Sequence, residues 1–152
     1  MTQVLQILWY DFFALMLQRP KRMQVAALCY RGEGIDKEVL LVTSRGTGRW
    51  IIPKGWPMRG KNAAESARQE AWEEAGVIKG ETNTTEIGRY TYDKTKASGW
   101  SYPVETIVYP LEVEALSKTF PEAHQRKRKW VKTSDAASLL QESELQAIVR
   151  QF

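Results

Sequence analysis

Between Asn62 and Gly76 the chain spells out a helix together with both of its ends. Asn62-Ala-Ala-Glu65 has the spacing of a capping box, in which Asn62 accepts from the Glu65 amide and Glu65 reaches back to the Asn62 amide. Gly76 stands where a left-handed C-terminal residue belongs. The spacing predicts a helix from about Ala63 to Ala75. Ala64, Ala67, Ala71 and Ala75 recur at helical steps along it, a stripe of small side chains that lets the helix press closely on a sheet. A chain holding such an element reads as α/β.

Another face of the same helix carries Glu70, Glu73 and Glu74. Like charges three and four apart on a helix repel, costing tenths of a kcal/mol per pair. They also crowd the negative end of the helix dipole. Most acidic clusters are solvated surface, and that is one reading. A hard divalent cation is the other, because Mg²⁺ takes a few carboxylates and leaves its remaining positions to water and phosphate oxygens.

The surroundings allow either. A chain of 152 residues, 43% hydrophobic and 26% charged, can bury a real core and has the composition of a soluble globular protein. Its net charge of +4 favours an anionic partner without naming one. The single Cys29 lies in the apolar run VAALCY, allows no internal disulfide and reads as an inert buried thiol, so a cytoplasmic location is expected. The opening MTQVLQILWYDFFALMLQRPKR lacks the basic start and small-residue cleavage site of a signal peptide. Asp11 interrupts its apolar run, which falls short of the roughly 20 residues a membrane span needs. Leu5, Leu8, Trp9, Phe12 and Met16 predict an amphipathic helix over 1–20, packed on its own domain, on a second copy in a homo-oligomer, or on a membrane surface.

The remainder, 21–152, reads as one domain of alternating strands and helices. Strands are expected at 23–31, 38–45, 49–53, 85–94, 102–113 and 126–132, and a helix begins with Ser134 or Asp135 at its cap.

The segment from Gly55 to Val77 resembles the Nudix box, G-x5-E-x7-R-E-U-x-E-E-x-G-U with U aliphatic. Gly55, Glu70, Glu73, Glu74, Gly76 and Val77 fall in register; Lys61 stands where the pattern has Glu, Gln69 where it has Arg, and Ala71 is a small U residue. The resemblance implies an αβα sandwich with a mixed central sheet. It also implies a pyrophosphohydrolase whose Mg²⁺ or Mn²⁺ is held by Gly55, Glu70, Glu73 and Glu74. In the family the box arginine makes a salt bridge that helps set the metal-binding carboxylates. Gln69 carries no charge, and Arg68 is rotated about 100° away on the helix. Activity is expected to survive the paired departure, a catalytically weak ligand-binding module being the alternative.

Such chemistry needs a cationic clamp on phosphates and a base near the attacking water. Arg45, Arg49 and Lys54 surround the start of the box, and strand alternation puts Arg126 and Arg128 on one face of HQRKRKW, with Lys127 opposite. A charged edge strand is the bland reading of that run. Glu122, Glu105 and His124 are candidate bases, with Glu122 preferred; Tyr90, Trp100 and Tyr102 could stack on a base but sit where aromatics are usually core. PKG before the box and RKRKW before a helix are similar to the diphosphoinositol polyphosphate and diadenosine polyphosphate phosphohydrolase branch. That implies a phosphate-rich small molecule as substrate, with no nucleic acid partner. Other nucleoside-diphosphate derivatives are the runner-up.

Overall fold

The computed structural model describes residues 22–152; the helix expected over 1–20 lies outside them. Strand β1, Arg22–Arg31, runs parallel to β7, Ser101–Leu116, from Arg22 opposite Val104 to Tyr30 opposite Glu112. Both strands are buried on two sides, which is why VAALC and IVYPL read as near-continuous apolar runs. The other pairings are antiparallel, so the sheet is mixed. Its path runs β3 (Trp50–Ile51), β2 (Glu38–Thr43), β1, β7, β5 (Val77–Thr82). Off this path β4 (Lys54–Gly55) pairs with β1, β6 (Gly88–Thr95) with β7, and β8 (Arg128–Lys132) with β2.

Alternation along the strands divides the core into two layers. Val25, Ala27 and Cys29 of β1, with Leu40 and Val42 of β2, pack under helix α1, Ala63–Ala75. Ala26, Leu28, Val39 and Leu41 point the other way, onto α2, Thr133–Leu139, and α3, Ser143–Gln151. The result is the expected αβα sandwich.

Helix α1 has the expected bounds. Its capping box is made on both sides, Gly76 adopts φ +72°, and the alanine stripe is at most 5% exposed. Other elements depart from expectation. Of the strand expected over 49–53 only β3 forms, and β4 follows Pro53, whose carbonyl accepts from the Ala27 amide at 3.0 Å. Strand β5 was not expected, because an edge strand with register shifts between Val77 and Gly80 shows no clean alternation. Helix α2 starts at Thr133 after Lys132, with no side-chain cap from Ser134 or Asp135, and α3 follows after a break at Leu140.

Candidate active site

The alanine stripe decides where the acids of α1 point. With that stripe on the sheet, Glu70, Glu73 and Glu74 face a cleft of about 840 Å³, bordered by β4, the loop after β2 and the β7–β8 connection. Gly55, Lys54, Arg45, Arg49, Glu122 and Arg126 line the same cleft. Residues spread over 45–126 of the sequence therefore meet at one place.

Glu74 is buried, and both its oxygens are occupied. Oε1 accepts from Arg126 Nη2 at 2.8 Å, and Oε2 from the Lys54 amide at 3.1 Å. Arg126 also donates from Nε to Glu122 Oε2 at 3.1 Å and from Nη1 to the Thr43 carbonyl at 2.9 Å. Glu122 Oε1 pairs with Arg45 Nη1 at 3.0 Å, and its amide donates to the Glu73 carbonyl at 3.0 Å. Arg49 bonds Glu142 Oε1 at 2.7 Å, joining the cleft to the start of α3.

Glu70 presses against Gly55: a Cβ on that glycine would lie 1.9 Å from Glu70 Oε1. Burial there, then the like charges of Glu74, Glu73 and Glu122, push its pKa up to about 7. Burial also raises Glu74, against the opposing pull of Arg126 and Lys54. Burial lowers Lys54 to about 8 although Glu74 and Glu142 favour its charge, and its Nζ lies 4.9 Å from the Tyr92 ring centre.

These side chains suit a divalent cation. Glu70 is buried against the Gly55 backbone with the like charges of Glu74, Glu73 and Glu122 around it, an arrangement a divalent cation would relieve. Among the described residues no three acidic, His or Cys side chains converge into a complete cage. Mg²⁺ does not require one, since it usually binds through one or two carboxylates plus water and phosphate oxygens.

The two arginines expected in the clamp from HQRKRKW both have protein partners in the structure. Strand β8 begins only at Arg128, so Arg126 precedes it and alternation does not govern its direction, yet both side chains end on α1. The Arg126 side chain is 5% exposed and spends its donors on Glu74, Glu122 and Thr43. Arg128 lies outside the cleft lining; its Nη1 donates to the Ala75 carbonyl at 2.6 Å and its guanidinium stacks on Phe120, so it closes the C-terminal end of α1. Among the candidate bases only Glu122 reaches the cleft. Glu105 pairs with Arg89, and His124 lies in a neighbouring groove with Gly48 and Lys127. Tyr90 is core, and Trp100 is exposed. Lys61 and Gln69 meet at a groove with Glu65, Arg68 and Trp72, away from the cleft residues.

Sequence reasoning passed over Trp56 and Lys94, which line the mouth with Lys94 Nζ 5.0 Å from the Trp56 ring centre. A tryptophan directly after the first box glycine was the available signal.

The NUDIX domain model matches residues 20–152. The chain belongs to the Nudix family. Its enzyme class is pyrophosphohydrolase. Human diphosphoinositol polyphosphate phosphohydrolase 3-beta is 32% identical over 122 residues, 79% of this chain and 70% of the relative. The Bos taurus protein of the same name is 31% identical over the same shares. Among solved structures, a Caenorhabditis elegans Ap4A hydrolase superposes with TM-score 0.59 at 24% identity, covering 87% of this chain and 96% of that one. The Nudix domain of Shewanella oneidensis NrtR, bound to ADP ribose, gives TM-score 0.63 at 17% identity, covering 90% and 89%. These structural likenesses concern the fold. Among the described residues no helix of this Nudix protein is long and apolar enough to cross a membrane.

Proposed function

We propose that this Nudix protein hydrolyses a phosphoric anhydride in a phosphate-rich small molecule of the diphosphoinositol polyphosphate or diadenosine polyphosphate type. The observation that carries the reading is the meeting of Glu70, Glu73 and Glu74 with Arg45, Arg49 and Lys54 in one cleft. Acids and bases line the same cleft, which suits a cation beside the carboxylates and phosphates beside the basic groups.

In this reading Glu70, Glu73, Glu74 and the Gly55 backbone would hold Mg²⁺ or Mn²⁺, Glu74 through lone pairs left beside its bonds to Arg126 and the Lys54 amide. A bound cation there would polarise a phosphoryl oxygen and ease deprotonation of the attacking water. Arg45, Arg49 and Lys54 hold the remaining phosphates through charge-assisted hydrogen bonds. Glu122 takes the proton as the water oxygen bonds to phosphorus, and the bridging oxygen leaves with the other phosphate. The names of the relatives favour the diphosphoinositol type. Trp56, 39% exposed at the mouth, favours the diadenosine type, because an aromatic face can stack on a base. The buried thiol of Cys29 accords with a cytoplasmic setting.

The test is a panel of both substrate types with Mg²⁺, Mn²⁺ or chelator, scored by the phosphate species released. Glu73→Gln and Glu74→Gln should each cut turnover by orders of magnitude while melting as folded proteins. Metal-independent turnover, or wild-type turnover in both variants, would reject the site. Tight ligand binding with no turnover would point instead to a binding module.

A further inference from the structure

We propose that Arg126 is the positioning residue of this site, a buried brace that sets Glu74 and Glu122 relative to each other. The proposal rests on the hydrolase reading above. Three segments far apart in sequence meet at its guanidinium: Glu74 on α1, Glu122 in the β7–β8 connection, and the Thr43 carbonyl at the end of β2. Each of the three guanidinium nitrogens makes one of these bonds. A planar fork can serve three such partners in fixed directions, whereas a lysine ammonium is a single point charge on a flexible stem.

Burial decides between a brace and a clamp. At 5% side-chain exposure the guanidinium is withdrawn from solvent, and its Nε, Nη1 and Nη2 each already donate to a protein partner. Arg45 makes the contrast: its side chain is 59% exposed while it touches the same Glu122. The charge balance points the same way. Glu74 and Glu122 lie 9% and 17% exposed, and without Arg126 their charges would be buried against each other with Glu70 nearby. Helix α1 offers no substitute, since Gln69 is uncharged and lies with Lys61 on another flank. The cation that orders the carboxylates therefore comes from the far end of the chain.

The full chain is tested as Arg126→Lys and Arg126→Gln, with Arg45→Ala for comparison. Three quantities are read: Mn²⁺ affinity without substrate by electron paramagnetic resonance, kcat and KM on a short and a long polyphosphate, and melting temperature. A brace predicts that Arg126→Lys lowers Mn²⁺ affinity by roughly 10–100-fold, the usual scale for residues that orient metal ligands. It also predicts a fall in kcat of equal size on both substrates with little change in KM. Arg45→Ala should instead raise KM, more for the longer substrate. Unchanged Mn²⁺ affinity in Arg126→Lys, or a KM defect that grows with phosphate number, makes Arg126 a clamp and overturns the proposal. If neither Arg126 variant folds, the wild-type protein decides. Its Arg126 Nε–H resonance should be protected from exchange and unmoved by tripolyphosphate, and a ligand-induced shift as large as that of Arg45 defeats the brace. A wild-type protein that neither binds Mn²⁺ nor turns over any substrate sinks the hydrolase reading alone, leaving the resonance measurement to judge Arg126.

Discussion

Glu70 shows how one carboxylate can carry the electrostatic cost of a site. Its pKa of about 7, against an ordinary 4.5, comes first from burial beside Gly55 and then from three neighbouring glutamates. The sign follows from linkage: a carboxylate whose folded pKa lies above its unfolded value binds its proton more tightly in the fold. Glu70 therefore imposes no penalty below 4.5, an increasing one as pH rises from 4.5 to about 7, and a constant one above. With chelator present, the urea midpoint of the wild type should fall across that window relative to Glu70→Gln, which cannot ionise. Parallel profiles for the two proteins would mean that Glu70 is not desolvated in this way.

At the scale of the element, the two ends of α1 are stabilised by different means. The Asn62 cap is local, and Asn62→Ala should cost about 1 kcal/mol through the lost bond to the Glu65 amide. The Gly76 end is tertiary as well as local. A Cβ there would lie 2.5 Å from Phe120 Cδ1, 2.7 Å from Arg128 Nη1 and 2.8 Å from the Ser117 carbonyl, at φ +72°. Phe120 and Arg128 have some freedom to move, but the Ser117 carbonyl is backbone. Gly76→Ala should therefore cost more than Asn62→Ala, with left-handed strain alone contributing about 1–2 kcal/mol. Thermal melts of the two variants test this ranking, and equal melting temperatures would contradict it. Both ends of α1 were legible in the sequence because caps are short-range motifs. Strand β5 was not legible, because its only clear signal is the side of β7 that it covers.

The whole molecule offers a readout in Cys29, fully buried on the central strand beneath α1. Burial, then Glu74, pushes its thiol up to about 12, so the reactive thiolate is scarce near neutrality as well as shielded. Labelling by a thiol reagent should be negligible in native buffer and complete in urea, because β1 opens only when the sandwich does. Asn62→Ala should speed native labelling in proportion to its loss of stability. Rapid stoichiometric labelling of the native wild type would show that the two layers separate locally.

Helix bounds, the alanine face and the spacing of Glu70, Glu73 and Glu74 followed from the sequence by itself, since all depend on residues within one or two helical turns. The identity of the cation on those acids did not. Arg126 meets Glu74 across 52 positions, and only the packing of α1 against the strand end and loop that carry Thr43 and Glu122 brings them to 2.8 Å. Arg126 and Arg128 are two residues apart and both end on α1, yet one reaches the carboxylates and the other the end of the helix. Periodicity along a strand selects a face. What lies opposite that face is decided by tertiary packing, and so is whether a charge holds a substrate or the protein itself.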